Sequence, residues 1–248
     1  MGILDEAREK FIELCIARDV DRSMPVAVRP LGPDEAIGER ADASFVIKKG
    51  REVVIQAEWE GAAGQAFTDA PAAYAGTLDD VLSLDLARTE HRAFLVAAMN
   101  AVLRKLGAAL GTVHCRNEDP TRCGPEMAAE LERRFGRRRY GLVGLQPAIL
   151  KGLAEHFGPE NMRVVDLNPD NIGKRKSGVE VWDGATRLGE LVAWCDVVLA
   201  TGSSVVNGTI DEIARQAGAA GRPVVFFGNT ISGVAALTGA DRICPFGQ

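Results

Sequence analysis

The sequence predicts an α+β unit followed by an α/β unit whose sheet is mainly parallel. Three observations carry that division. Residues 1–110 set an amphipathic helix, a group of β-rich runs and two more helices one after another, the order of an α+β arrangement. From residue 125 onward, short continuous apolar runs alternate with helical patterns, as in a parallel sheet covered on both faces. Between them, 111–124 carries Gly111, His114, Cys115, Pro120, Cys123 and Gly124 and reads as a connector.

Taken in order, Ile3, Leu4, Ala7, Phe11, Leu14 and Cys15 recur at helical spacing and predict a helix over 3–18. The Pro- and Gly-rich stretch 25–38 predicts irregular structure. A hairpin signal follows: Ser44–Ile47, a turn at Lys48–Arg51, then β-formers from Glu52 to Trp59. Gly61–Gly64 reads as a turn and Gln65–Thr68 as a third strand. Thr77 caps a predicted helix over 78–86, and Phe94, Leu95, Ala98, Met99, Val102 and Leu103 mark one apolar face of the next, ended by Gly107.

In the second half, Pro125–Phe135 predicts a helix with Pro at its first position. Strands are expected at 140–143, 162–167, 196–200, 223–227 and 242–244, with helices at 147–157, 184–194 and after Thr209. That alternation makes 125–248 a Rossmann-like unit.

Composition narrows the function. A net charge of −5 supplies no basic field for nucleic acid. The short cluster Lys174-Arg175-Lys176 reads as a solvated loop. No apolar run has a membrane-spanning length. Five cysteines at irregular spacing fit a reducing compartment, so a cytoplasmic protein is expected.

In open α/β sheets, ligands collect at the carboxyl ends of strands. The loops there contain Gly144, Gln146 and Pro147; Asn168; Thr201, Gly202, Ser203, Ser204, Asn207, Gly208 and Thr209; and Gly228-Asn229-Thr230. Thr209 and Glu212 have capping-box spacing, which leaves 202–208 as a small-residue loop before a helix N-terminus. Such a loop suits an anionic ligand, with Ser203, Ser204 and the backbone at Asn207-Gly208 as donors. No Lys precedes Thr209, so it is no nucleoside-triphosphate loop. Asp183 precedes a helix as a cap and is carried as a further binding candidate.

His114, Cys115 and Cys123 are candidate ligands for a transition or heavy metal, although their spacing matches no structural zinc site. The residues alone favour the plainer reading of a buried Cys and a loop His. Asp166 stands where a ribose-binding acid would sit, so an enzyme using NAD or S-adenosylmethionine is the alternative; the first loop lacks the Gly-x-Gly-x-x-Gly fingerprint.

Gly144-Leu145-Gln146-Pro147, Asp166-Leu167-Asn168-Pro169, Gly178–Asp183 and Thr201–Glu212 together resemble the putative heavy-metal chelation family. Gly64–Thr68, Ala98–Leu103 and His114-Cys115 with Pro120 and Cys123 resemble the partner domain and connector found with it. The resemblance implies an enolase-N-terminal-like domain over 1–110, a connector over 111–124 and a Rossmann-like domain over 125–248. It also implies a metal ion or metal-chelating small molecule in the cleft between them. Partners are then a small-molecule or metal ligand, with no nucleic acid and no membrane; a homo-oligomer stays open.

Overall fold

The computed structural model describes residues 2–38, 52–117 and 119–248. They form a mixed α/β fold with two sheets, one antiparallel with four strands and one of seven that is parallel except at an edge.

The antiparallel sheet is built from β1 (Pro25–Pro30), β2 (Val53–Trp59), β3 (Ala62–Thr68) and β4 (Tyr74–Thr77), in the order β3-β2-β1-β4. Helix α1 (Ile3–Ala17) precedes it and buries Leu4, Ala7, Phe11 and Cys15, the stripe its spacing predicts. The stretch 25–38 corrects the expectation of irregular structure, since it supplies β1 and the short helix α2 (Pro33–Ile37). Pro25 and Pro30 sit at the two ends of β1, while Val26 and Val28 point alternately inward. The alternation outweighs the proline count.

Of the expected hairpin, Ser44–Ile47 and the turn Lys48–Arg51 lie outside the described residues. The β2–β3 turn is only Glu60-Gly61, both at positive φ (45° and 77°), so β3 begins three residues before the expected Gln65. Thr77 does cap the next helix, α3 (Leu78–Leu82). Its hydroxyl accepts from Asp80 N at 3.1 Å and its own N–H donates to Asp80 Oδ2 at 2.8 Å.

Helix α4 (Thr89–Lys105) lies on β3 so closely that a Cβ at Gly64 would stand 2.1 Å from Ala101 N. Its sequence pattern predicts one apolar face, yet every residue from Ala93 to Leu103 is buried, because helices of the second half cover its other side.

That second half runs α5 (Asp119–Phe135), β5 (Tyr140–Val143), α6 (Pro147–Phe157), β6 (Met162–Asp166), β7 (Arg175–Lys176), β8 (Val179–Asp183) and α7 (Gly184–Trp194). It continues through β9 (Val197–Thr201), α8 (Ser204–Asn207), α9 (Ile210–Ala219), β10 (Val224–Phe227), α10 (Ser232–Thr238) and β11 (Arg242–Ile243). The strand order is β11-β10-β9-β5-β6-β8-β7, with only β7 antiparallel to its neighbour. Helix α5 starts at Asp119 and carries Pro125 inside it, so Cys123 and Gly124 are helical rather than parts of a connector loop. Gly124 and Gly152 let α5 and α6 touch backbone to backbone: a Cβ on Gly124 would meet Ala148 O at 2.3 Å. Strand β8 is an addition to the predicted set. Arg175 and Lys176 form the exposed edge strand in place of the expected loop.

Strand alternation divides the apolar residues between two faces. Val197 and Leu199 of β9 face Met127, Leu131, Leu150 and Leu153 of α5 and α6. Val198 and Ala200 belong to a cluster that continues through Ile213 and Val234 into α4 and α1, so the two sheets share one core. Asn100 is the fully buried polar residue of α4. Its Nδ2 donates to Gln65 O (2.9 Å) and Thr230 O (3.0 Å), and its Oδ1 accepts from Gly233 N (2.7 Å). One side chain thus ties β3 to the segment after β10.

From β5 the chain adds β6 and β8 on one side, then α7 returns it to β9 on the other. The carboxyl ends of β5 and β9 therefore diverge, which opens a crevice between their loops. Among the described residues, no helix is long and apolar enough to cross a membrane.

Candidate functional site

A cavity of about 600 Å3 occupies that crevice. Loops after β5, β6, β9 and β10 form one wall; Glu52, Phe67, Thr68 and Asp69 of the antiparallel sheet close it, with His114, Cys115, Cys123 and Cys244 alongside.

The loop after β9 supplies Thr201, Gly202, Ser203, Ser204, Asn207 and Thr209 to the wall. Gly202 is required by close approach, since a Cβ there would lie 2.9 Å from Ile231 Cγ2. Gly208 is not on the wall. It takes the left-handed conformation (φ 82°) and faces Arg92, whose Nε donates to Val206 O at 2.6 Å. The capping box expected from Thr209 and Glu212 does not form. Thr209 has ψ −7° and gives its hydroxyl proton to Asn207 Oδ1 at 2.7 Å, while Glu212 accepts from Arg215 and Gln216. The anion cradle is also closed. Val206 N and Asn207 N both donate to Ser203 O at 3.0 Å, and Gly208 N and Thr209 N donate to Ser204 O. A short helix has consumed the amides that an open loop would have offered.

Gly144 (φ 88°) brings the β5 loop against Thr201, where a Cβ would lie 2.5 Å from Cγ2. Gln146 lines the cavity and caps α6, its Oε1 accepting from Ile149 N at 2.7 Å; Pro147 opens that helix and lies off the wall. Asp166 braces two loops, accepting from Leu145 N (2.6 Å), Asn168 N (2.8 Å) and Asn171 Nδ2 (3.2 Å). Asn168 stands beside it on the wall. Asp183 also lies off the wall and caps α7 through Ala185 N at 2.9 Å.

His114 and Cys115 meet Cys123 across the connector, and Cys244 from the segment after β11 joins them. Burial first, then the neighbouring Cys123 and Cys244, push Cys115 far above the usual thiol range, and burial, with Cys244 adding to it, pushes Cys123 up to about 12. Burial holds His114 down at about 4, so its imidazole is neutral at pH 7. Its Nδ1 donates to the Cys115 carbonyl, which can only accept; Nε2 therefore carries the lone pair a soft cation needs. Among the described residues, no group of three or more His, Cys, Asp or Glu side chains has the geometry to hold a metal ion.

Sequence reasoning did not single out Glu52, Asp69, Cys244 or the role of Asn229. Burial pushes Glu52 up to about 7; a hydrogen bond from Ser203 opposes this, and Asp166 and Asp69 reinforce it. Ser204 and Asn229 are each 1% exposed, and among the described residues Ser204 Oγ and Asn229 Oδ1 have no hydrogen-bond partner. Both residues line the cavity. Buried polar atoms are nearly always paired, so two orphans on one wall mark it as built for something polar.

Comparison with known proteins adds to this geometry. No curated protein matches the chain. A solved protein with unknown function from a domain-of-unknown-function family, from Pyrococcus horikoshii, superimposes with a TM-score of 0.56 at 18% identity, covering 92% of this chain and 79% of its own. Another from that family, from Desulfitobacterium hafniense DCB-2, gives 0.47 at 13% identity over 76% of this chain and 72% of its own. The first likeness shows the fold, a mixed α/β arrangement of two sheets. The model of the same family, described as putative heavy-metal chelation, matches residues 127–242. Over that segment, a little under half of the chain, the protein is similar to the putative heavy-metal chelation family.

Proposed function

We propose that the protein binds a heavy- or transition-metal ion, held in complex with a small organic chelator, in the cavity between its two sheets. The cavity's size carries this reading. At about 600 Å3 it falls in the range of small-molecule sites and far exceeds a bare ion, while its wall combines a neutral imidazole, thiols and carboxylates. On this reading His114 Nε2, Cys115 and Cys123 are the soft donors nearest the ion, and because no three such side chains among the described residues are placed to hold it alone, the chelator completes its coordination from the space beside Asn168, Thr201 and Ser204.

The same reading takes residues 1–110 as an enolase-N-terminal-like unit, 111–124 as a connector and 125–248 as a Rossmann-like unit. Its support is the order β8-β6-β5-β9-β10-β11, which is the doubly wound 3-2-1-4-5-6 arrangement. A cytoplasmic setting fits the five cysteines, all of them free.

The test is a titration of dialysed protein with zinc and cadmium, followed for a His114→Ala, Cys115→Ser double variant. Near-stoichiometric binding that weakens by more than about tenfold in the variant supports the proposal. Unchanged binding removes these ligands from it.

That strand order, with Asp166 at the end of β6, also favours a nucleotide-type cofactor as a second reading. Against NAD stands Gln146, whose own amide oxygen occupies the α6 N-terminus where a pyrophosphate would bind. S-adenosylmethionine has no pyrophosphate and escapes this objection. At 100 times its dissociation constant a true ligand stabilises by about 2.7 kcal/mol. Thermal shifts with both compounds decide between the readings, and no shift with either eliminates the second.

A further inference from the structure

The cavity wall is rich in hydrogen-bond acceptors. Four carboxylates line it, Glu52, Asp69, Asp166 and Glu212, and among the described residues no Lys or Arg does. Asp166 is held by loop amides and Glu212 by Arg215 and Gln216. Glu52 is different: half-buried at the cavity wall, it faces the Ser203 hydroxyl from the loop after β9, Asp166 from the end of β6 and Asp69 from the end of β3. No cation answers it among these neighbours. The Asn229 amide oxygen, buried and without a partner among the described residues, can only accept, and the Ser204 hydroxyl beside Ser203 is equally unpartnered among them. The backbone amides of Val206, Asn207, Gly208 and Thr209, which an open loop would have offered to an anion, are bonded to Ser203 O and Ser204 O.

We propose that the ligand of this cavity presents a protonated amine, received by the Glu52 carboxylate, with Asn229 Oδ1 and Ser204 Oγ as acceptors for its remaining polar hydrogens. The inference rests on the cavity being a small-molecule site and specifies the chelator as an amine-type compound rather than a polycarboxylate. An ammonium group beside Glu52 offsets both causes of its raised pKa, burial and the like charges of Asp166 and Asp69, and so displaces its proton. Amine binding is therefore proton-linked around neutrality.

The experiment uses two probes matched in length and opposite in charge, 1,5-diaminopentane and glutarate, titrated calorimetrically into the full chain in metal-free buffer at pH 6 and pH 8. The diamine should bind in preference to glutarate, and its affinity should rise about tenfold from pH 6 to pH 8 as Glu52 passes from about one-tenth to nine-tenths ionised. Glu52→Gln, nearly isosteric, should weaken diamine binding more than about tenfold and abolish the pH dependence. The wild-type pH profile tests the idea even if that variant folds poorly. Preference for glutarate, pH-independent diamine binding, or equal binding by the folded variant overturns the proposal. So does failure of both probes; zinc binding that depends on His114 and Cys115 would in that case leave the metal reading standing. Diamine binding without zinc binding upholds the amine site and removes the metal.

Discussion

Replacing Asn100 with Ala should unfold both halves of the molecule together. The side chain is fully buried and makes three short bonds, to Gln65 O (2.9 Å), Thr230 O (3.0 Å) and from Gly233 N (2.7 Å). Truncation takes a partner from two buried carbonyls and one buried amide, each costing about 1–3 kcal/mol when left unpaired. Partial relaxation and the carbonyls' second lone pairs offset part of this, so the expected loss is about 3–5 kcal/mol. For a chain of this size that is a fall in Tm of about 6–20 °C. Urea unfolding followed by far-UV circular dichroism and by tryptophan fluorescence is the assay. Trp59 lies in the antiparallel sheet and Trp182 in the parallel one, so fluorescence samples both. Because one apolar cluster spans the two sheets, the transition should stay single and shift to lower denaturant. A loss below about 1 kcal/mol, or a transition that splits in two, would refute the idea that Asn100 fastens a shared core.

Three further outcomes follow from the same geometry. Gly64→Ala places a Cβ 2.1 Å from Ala101 N, backbone against backbone, and should cost at least about 3 kcal/mol, read as lost soluble yield or a lowered Tm; a neutral effect would mean α4 can lift off β3. Glu52 holds its proton more tightly folded (about 7) than at its ordinary 4.5, so its contribution to stability declines as pH rises from about 4.5 to 7 and is flat above. Glu52→Gln should therefore match wild type in thermal melts near pH 4.5 and exceed it at pH 8 by up to about 3 kcal/mol, at 1.36 kcal/mol per pKa unit; no gain at pH 8 would contradict the burial of that carboxyl. Zinc affinity should climb with pH by up to about two logarithmic units per unit, one proton for each coordinating thiol, and by about one in Cys123→Ser; neutral His114 adds no proton above about pH 4. A flat profile would exclude thiolate ligation.

The sequence made the helices legible where the local signal was strong and spoke with one voice. Pro147 at the first turn marked the start of α6, and Thr77 announced the start of α3. It misled where tertiary contacts decided. Pro25 and Pro30 suggested irregular chain, but both of β1's edges are occupied by strands far along the sequence, which no local reading shows. Strand β8 was hidden because Val179-Glu180-Val181-Trp182-Asp183 is short and reads as the approach to a helix. In α5 the proline at 125 looked like a start, although the first helical turn begins six residues earlier at Asp119.

The site divides along the same physical line. Loops at the carboxyl edge were readable, because strand ends and small polar residues are properties of nearby sequence, and the structure gathers Gly144, Gln146, Asp166, Asn168, Thr201–Ser204, Asn207 and Thr209 on one cavity. The sign of the ligand's charge was not. From sequence, 202–208 offers free amides and so invites an anion, and only the folded backbone reveals that α8 has used them internally. Glu52 is one acid among many in the chain; what distinguishes it is the company of Asp69 and Asp166, brought from strand ends that lie 17 and 114 residues further along the chain. Asn229 read as a turn residue, and its unpaired oxygen follows from Nδ2 being drawn toward Gln65 O and Thr112 O at 3.4 and 3.5 Å. Donor supply is a local property of the backbone, whereas acceptor surplus is a sum over distant segments. A reading confined to single loops therefore leans toward anions, and the packed cavity reverses it.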